Sequence, residues 1–100
     1  MVNLKWENVP YFIIGEQTME LTTILYTKQF QELGRKIAYY RKIKQLSQTQ
    51  LAACVGISSS YLSKIERADL DSLSLITLMQ IAEALEVPAW TLLKFDDDPV

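Results

Sequence analysis

Two short helices joined by a tight turn are predicted within residues 47–67, and this stretch constrains the fold more than any other part of the chain. Ser47 is a good N-cap for the first helix, because its hydroxyl can accept a hydrogen bond from an unpaired backbone N–H. Gly56 stands where a left-handed residue would end that helix, and Ser58 can cap the next one at once. Apolar residues recur at helical spacing, namely Leu51, Ala52 and Val55 in the first helix and Leu62 and Ile65 in the second.

The outer face of the second helix is predicted to be polar and basic. If Leu62 and Ile65 face inward, the helical period leaves on the outer faces Ser59, Ser60, Ser63, Lys64 and Arg67. A helix, a turn containing glycine and a second helix with small polar and basic residues outward are typical of motifs that read bases in the major groove of DNA.

The charges are divided unevenly along the chain, although the net charge is only -2. Residues 31–67 contain seven Lys or Arg residues and two acidic ones, which gives this segment a net charge of +5. Residues 68–100 contain one Lys and seven acidic residues, which gives a net charge of -6. A basic half joined to an acidic half provides one face suited to phosphate groups, although a solvated helix face can carry the same pattern.

Composition excludes several classes of protein. One hundred residues suit a single small domain, and the chain has no histidine and one cysteine, Cys54. Zinc sites, disulfide frameworks and histidine-based catalysis are therefore excluded, and we predict no metal and no cofactor. Cys54 is expected to be a partly buried filler, which suits a protein of the reducing cytoplasm. The acidic clusters at 69–71 and 96–98 have no nucleophile or base beside them, so we predict that the chain is not an enzyme.

The first 29 residues form an N-terminal arm whose composition differs from the rest. Its apolar run Tyr11–Ile14 is much shorter than the roughly 18 residues of a membrane span, and no signal-peptide cleavage pattern follows it. Leu21–Tyr26 could pair with that run as a β-hairpin, whereas a helix from Thr18 onward is the competing prediction. A lone hairpin is marginal, so the arm would brace the domain, form a dimer or dock a partner. The predicted divisions are the arm (1–29), a helix-turn-helix domain (30–95) and an acidic tail (96–100).

Three further helices are predicted around the central pair. The first, residues 28–44, is amphipathic, and Gln45 after it would adopt a left-handed conformation at some cost in strain. Ser74 is the predicted N-cap of the fourth helix, and Pro88 is the predicted first residue of a short last helix. Core-facing positions of the first and fourth helices are Phe30, Leu33, Ile37 and Tyr40, and Leu75, Leu78, Ile81, Ala82 and Leu85.

Arg41 and Glu66 are predicted to form a structural ion pair. Arg41 follows Tyr40 near the inward edge of its helix, and Glu66 lies beside Ile65. Each charge would be costly to bury alone, so we expect a partly buried, bidentate pair that ties the first helix to the helix with the polar outer face.

Residues from about Leu33 to Leu93 resemble the lambda-repressor/Cro-like (Xre-type) helix-turn-helix family. The matching residues are Leu33, Gly34, Ile37, Arg41, Leu46–Gln48, Leu51, Ala52, Val55–Ser58, Tyr61–Ser63, Ile65–Arg67, Ser74, Leu75, Leu78 and Ile81–Leu85. This resemblance implies an all-α, five-helix DNA-binding domain whose third helix enters the major groove of double-stranded DNA. It also implies a homodimer on a palindromic site.

The resemblance assigns roles to individual positions. Gln48 matches a residue that touches phosphate or a flanking base. Base-facing and groove-edge positions are matched by Ser59, Ser60, Ser63 and Lys64, and positions beside the sugar-phosphate backbone by Tyr61 and Arg67. Lys42 and Lys44 are expected to add backbone contacts that position the helix without reading sequence. The loop at residues 68–72 is acidic where many members of the family are polar or basic, so we expect no phosphate contact there.

Ile76 and Met79 fall outside the apolar stripe of the fourth helix, which indicates a surface for a partner. We predict a homodimer interface formed by Ile76, Met79, Trp90, Tyr11 and Ile13. Together these features predict a cytoplasmic transcriptional repressor. The alternative is a protein-interaction role, as an antitoxin or an adaptor with the same fold, which the apolar run Tyr11–Ile14 favours and the basic segment does not.

Overall fold

Five α-helices make up the part of the chain that the computed structural model describes, residues 16–70 and 72–95. They are α1 (Glu16–Ile43), α2 (Gln48–Val55), α3 (Ser59–Glu66), α4 (Leu75–Leu85) and α5 (Ala89–Leu93). No strand occurs within these two ranges, and the prediction of an all-α, five-helix domain is confirmed. The predicted acidic tail lies outside the described residues.

A single apolar core joins the five helices. Every helix contributes to the largest fully buried side chains, which are Ile37, Leu51, Leu62, Ile81, Leu85 and Leu92. Burying each such side chain stabilises the fold by roughly 1.5–3 kcal/mol. α1 packs against α3, α4 and α5, while α2 packs against α3 and α4. The short α2 and α3 therefore rest on a framework that α1 and α4 provide.

Serine side chains cap the starts of α2, α3 and α4. The Ser47 hydroxyl accepts a hydrogen bond from the Gln50 N–H at 3.0 Å, and the Gln50 side chain accepts one from the Ser47 N–H at 2.8 Å. Ser58 and Ser74 each accept a hydrogen bond from the N–H three residues further on. All three predicted N-caps are confirmed.

The first four helices end in a common way, although only one of them uses glycine. The residues with positive φ that follow α1, α2, α3 and α4 are Gln45 (60°), Gly56 (82°), Ala68 (57°) and Glu86 (59°). In each case the next residue donates its N–H to a carbonyl five residues earlier. A left-handed conformation costs a non-glycine residue roughly 1–2 kcal/mol, so three helix ends are strained. The left-handed Gln45 and Gly56 were both predicted from the sequence.

The strand predicted over Leu21–Tyr26 is wrong, because α1 covers these residues and continues to Ile43. The competing prediction was a helix from Thr18 onward, and its first residue lies two positions after the observed start of α1 at Glu16. β-branched and aromatic residues favour strands only weakly, and no proline interrupts this stretch. α1 also passes the predicted boundary after residue 29 without a break. The run Tyr11–Ile14 lies outside the described residues.

Three smaller predictions are corrected by the structure. Leu75 is 65% exposed, because it begins α4 and the core stripe of that helix starts only at Leu78. Cys54 is exposed, since α2 buries only Leu51 and Ala52 fully. Pro88 is the N-cap residue of α5, so this helix begins one residue later than predicted.

Candidate nucleic-acid interface

α3 turns its serines and its lysine away from the core. Leu62 and Ile65 are buried on its inner side. The predicted base-facing residues lie together on the other side, where Ser59, Ser60 and Lys64 are exposed and Ser63 is half-buried. Tyr61 is also half-buried, and Arg67 is exposed just past the C-terminal end of the helix. The arrangement offers short hydroxyls and one ammonium group along a single helical face.

An ion pair between Arg41 of α1 and Glu66 of α3 fixes the position of this face. Arg41 Nε donates to Glu66 Oε2 at 2.7 Å, and Arg41 Nη2 donates to Glu66 Oε1 at 3.1 Å. The two side chains are only 10% and 6% exposed. The sequence predicts a bidentate, partly buried pair; the structure has the bidentate pair and buries it almost completely.

Both members of this pair have a further partner. Arg41 Nη1 donates to the backbone carbonyl of Leu46 at 2.8 Å, and Gln48 Nε2 donates to Glu66 Oε1 at 2.9 Å. The Glu66 carboxylate thus accepts three hydrogen bonds, which reduces the free-energy cost of burying its charge. Through Leu46 and Gln48 the same network also holds the turn before α2. Gln48, predicted to contact a phosphate or a flanking base, has an internal partner in Glu66.

Gly34 allows α3 to approach α1 very closely. A Cβ atom at this position would lie 2.7 Å from the carbonyl oxygen of Ile65 and closer still to that of Glu66. Those atoms belong to the backbone, which cannot move aside as a flexible side chain can. A glycine in the interior of α1 is therefore required for the observed distance between the two helices.

The basic residues of the 31–67 segment point in different directions. Arg41 is bound to Glu66, and Lys36 Nζ donates to backbone carbonyls at the end of α5. Arg67 Nε donates to the Ser63 carbonyl at 3.3 Å, although Arg67 itself remains exposed. The exposed members of the set are Arg35, Lys42, Lys64 and Arg67. Fewer charges face solvent than the sequence alone suggests.

Lys44, predicted to contact the sugar-phosphate backbone of DNA, is paired with Glu86 at the end of α4. The ammonium of Lys44 donates a hydrogen bond to Glu86 Oε1 and attracts its charge, and together these effects lower the pKa of Glu86 below its ordinary value of 4.5. The two side chains are 33% and 73% exposed, so water and salt screen this pair.

The predicted dimer residues within the described part of the chain are exposed. Ile76 and Met79 lie on α4, and Trp90 lies on α5. Tyr11 and Ile13 are outside the described residues. Across residues 16–70 and 72–95, no group of three or more Cys, Asp and Glu residues is placed to hold a metal ion. None of the helices described is long and apolar enough to cross a membrane.

Comparison with known proteins identifies the family. A family model described as "Helix-turn-helix" matches residues 37–89, which run from the second half of α1 to the start of α5. The chain belongs to this helix-turn-helix family. The match includes both partners of the buried ion pair and the whole polar face of α3.

Individual members of the helix-turn-helix family are similar to this chain. The HTH-type transcriptional regulator SinR of Bacillus licheniformis is 38% identical over 66 residues, which cover 66% of this chain and 60% of SinR. The chain therefore spans about three fifths of that relative. A crystal structure of SinR, the master regulator for biofilm formation, in complex with DNA matches with a TM-score of 0.59 at 39% identity, covering 62% of this chain and 98% of that one. The restriction-modification controller protein C.AhdI from Aeromonas hydrophila matches with a TM-score of 0.60 at 30% identity, covering 63% and 94%.

Sequence reasoning missed two residues that the structure shows to be important. Gly34 entered only as one position in a family pattern, although a glycine inside an amphipathic helix is a signal for close backbone approach. Lys36 was counted only as one of the seven positive charges. Its partners are 55 and 58 residues away along the chain, and no local pattern indicates them.

Proposed function

We propose that this chain is a sequence-specific DNA-binding transcriptional regulator, and that it represses transcription by occupying a promoter. The observation that carries the proposal is the polar outer face of α3, which three hydrogen bonds to Glu66 hold against α1 and α2. A helix held in this way can enter the major groove, which is about 12 Å wide, and present its side chains to base edges. The complex of SinR with DNA, a structure of the same fold, supports the proposal.

Base reading and backbone positioning are proposed for different residues. Lys64 can donate to O6 and N7 of guanine, whereas the serines of α3 can pair with any base and discriminate weakly. Tyr61, Lys42 and Arg67 are proposed to contact the sugar-phosphate backbone, which fixes the register of the helix.

Gln48 and Lys44 are proposed as phosphate contacts of a different kind, since each has an internal partner. The Gln48 amide has two N–H groups, so one can hold Glu66 while the other donates to a phosphate. Lys44 would have to exchange Glu86 for a phosphate. We therefore expect a larger contribution to binding from Gln48 than from Lys44.

We further propose that the regulator is a homodimer on a palindromic operator. Ile76, Met79 and Trp90 supply exposed apolar area for such an interface, and Tyr11 and Ile13 are proposed to add to it. In a two-fold dimer the two copies of α3 would meet half-sites one helical turn apart, about 34–36 Å. We propose three parts for the chain: an arm (1–29), a DNA-binding domain (30–95) and an acidic tail (96–100). We also propose that the protein has no enzymatic activity and acts in the cytoplasm.

The alternative function, an antitoxin or adaptor that binds another protein, draws its support from the same exposed apolar residues on α4 and α5. Such a role would not require the polar face of α3 or the exposed Lys42 and Lys64. DNA binding accounts for both surfaces, because a dimer uses the apolar one and DNA uses the polar one. We therefore favour the DNA-binding regulator.

The proposal is tested by selecting binding sites from a pool of random DNA duplexes. The affinity for the selected duplexes is then measured at several salt concentrations. We expect a palindromic consensus and a steep fall in affinity with salt, because displaced counterions are released from the phosphates. Weak binding with no enriched sequence would contradict the proposal and would favour the protein-interaction role.

Two variants separate reading from positioning. Lys64→Ala is expected to weaken binding to the selected site by about 1–3 kcal/mol and to relax one base preference. Lys42→Ala also removes one positive charge, but from α1. We expect it to weaken binding to all DNA sequences alike and to reduce the slope of log affinity against log salt concentration by about one. If both variants changed the base preference equally, the division between the two roles would be wrong.

A further inference from the structure

Gln48 is the first residue of α2, and its side chain reaches the last residue of α3. Its Nε2 donates a hydrogen bond to Glu66 Oε1 at 2.9 Å, and Gln48 is only half-buried. The first N–H groups of a helix have no partner within the helix, and with the helix dipole they favour an anion at this end. A DNA phosphate at the start of α2 would therefore lie near the Gln48 side chain.

The backbone on both sides of Gln48 is already fixed in the free protein. Ser47 and Gln50 bond to each other in the capping box that begins α2. Arg41 Nη1 holds the carbonyl of Leu46, two residues before Gln48. The long Gln48 side chain is then the part that a further contact must order. Ordering it on a ligand costs conformational entropy, and a hydrogen bond that exists before binding reduces this cost.

The carboxylate of Glu66 also decides which end of the Gln48 amide faces which way. A carboxylate only accepts hydrogen bonds, so the amide must turn its NH2 group towards Glu66. The reversed amide would set its own oxygen against the carboxylate. A DNA phosphate also only accepts, and the Nε2 nitrogen carries two hydrogens. One hydrogen can therefore bind Glu66 while the other is offered to a phosphate.

The negative charge of Glu66 is balanced before any phosphate approaches. Arg41 donates two hydrogen bonds to the carboxylate, at 2.7 and 3.1 Å, and the Glu66 side chain is only 6% exposed. The pair carries no net charge, so the repulsion between the carboxylate and a phosphate is largely offset. Arg41 thus lets an acidic side chain orient a phosphate-binding amide.

We propose that Glu66 is a positioning residue for DNA binding, which touches no DNA itself and orients the Gln48 amide so that its second N–H meets a phosphate. The inference rests on the proposed function and adds to it, because it gives Glu66 a part in DNA affinity besides its structural role with Arg41. A phosphate carries no sequence information, so this contact should contribute equally to all duplexes.

The test is a double-mutant cycle on the full chain. Gln48→Ala removes the amide, Glu66→Gln keeps the side-chain length and one oxygen for Arg41, and a third variant combines the two changes. Glu83→Gln, at an exposed position of α4, makes the same change in charge and is the matched control. The affinity of each protein is measured for the selected duplex and for a duplex of unrelated sequence.

We expect Gln48→Ala to weaken binding about tenfold, because it removes a hydrogen bond to a charged group. Glu66→Gln should weaken binding about fivefold, and the double variant no more than about tenfold, since both changes act on one contact. Glu66→Gln also makes the protein more positive, which by itself would strengthen binding to DNA. A loss of affinity therefore reports the orientation of the amide, and Glu83→Gln should show no loss.

Two outcomes of the cycle overturn the inference. If the two single losses multiply in the double variant, Glu66 does not act through Gln48. If Glu66→Gln loses its preference for the selected duplex over the unrelated one, Glu66 acts by holding α3 and not by orienting Gln48. In either case a wild-type protein that selects a DNA sequence leaves the proposed function standing. If wild type binds all duplexes alike and the cycle is still non-additive, the proposed function fails and the role of Glu66 stands.

Should Glu66→Gln not fold, NMR of the wild-type protein provides the test. The two Nε2 protons of Gln48 are assigned by their loss in Gln48→Ala. On titration with the selected duplex, the proton bound to Glu66 should keep its chemical shift while the other proton moves. Movement of both protons would show that the bond to Glu66 breaks, and movement of neither would show that no phosphate is bound. Either result overturns the inference.

Discussion

Two ion pairs connect the C-terminal end of α1 to other helices, and they differ in burial and in the number of partners. Arg41 and Glu66 are almost fully buried and share hydrogen bonds with Leu46 and Gln48. Lys44 lies three residues further on and meets Glu86 in a position that water reaches easily. The first pair links α1 to α3, whereas the second links α1 to the end of α4.

Burial determines what each pair contributes. A charge in the core that loses its partner keeps its desolvation cost, so breaking a buried pair is strongly destabilising. An exposed charge that loses its partner is solvated instead, so breaking an exposed pair changes stability little. The position of α3 should therefore depend on Arg41 and hardly at all on Lys44.

The largest effect is expected for Arg41→Ala, which leaves the buried Glu66 without its two Arg41 hydrogen bonds. We expect a loss of about 3–5 kcal/mol in the free energy of unfolding. Chemical denaturation measures it, and Lys42→Ala, at the adjacent exposed position, is the matched control and should change little. Equal stability of the two variants would show that Arg41 belongs with the DNA-binding residues and not with the structural ones.

Gly34→Ala tests how much the packing of α3 on α1 depends on the close approach of the two backbones. The added Cβ would collide with the carbonyls of Ile65 and Glu66, so α3 must move away from α1. We expect a net loss of about 1–3 kcal/mol in unfolding free energy, even though alanine favours a helix. Gln31→Ala, at an exposed position of α1, serves as the control. A Gly34→Ala protein as stable as wild type would mean that the interface tolerates this shift.

Ala68→Gly measures the strain at the end of α3, two residues after Glu66. Ala68 has a φ of 57°, which glycine adopts freely, so the variant should be stabilised by about 1 kcal/mol. A rise in melting temperature checks this expectation. Glu86 has nearly the same conformation, and Glu86→Gly should show whether its strain outweighs its pairing with Lys44. A lower melting temperature for Ala68→Gly would contradict the assignment of strain.

The smallest effect is expected for Lys44→Met, and it should depend on pH. Lys44 lowers the pKa of Glu86 in the folded state below its ordinary value of 4.5. The pair therefore stabilises the fold above that pH, and its contribution disappears as acid protonates Glu86. Melting curves of wild type and Lys44→Met should differ slightly at neutral pH and converge on acidification. A difference that grew in acid would mean that the pair does not act through the Glu86 charge.

Local signals in the sequence accounted for much of the fold. Ser47, Ser58 and Ser74 each cap a helix because an N-cap needs only a hydroxyl and an N–H three residues away. The strand predicted at Leu21–Tyr26 failed because local propensity is weak where a helix can continue through the segment. The N-terminal region therefore differs from the prediction, since it is helical there, but the all-α fold class is the one predicted.

The candidate site was partly predictable for the same reason. Helical period alone separates Leu62 and Ile65 from the serines of α3, and the inward Arg41 could be matched with Glu66 because each needed a partner. The roles of the lysines could not be separated, since Lys36, Lys42 and Lys44 look alike in a basic run. Long side chains choose partners by what lies within reach after folding.

The sequence by itself determined that five helices form, the three serine caps, the polar face of α3 and the family, because these depend on residues close together along the chain. Only the tertiary structure decided that Gly34 admits the backbone of α3, that Gln48 completes the shell around Glu66 and that Lys36 caps α5. Each of those contacts joins residues at least 18 positions apart. Such distances in sequence carry no periodic signal, and packing of the core brings the partners together.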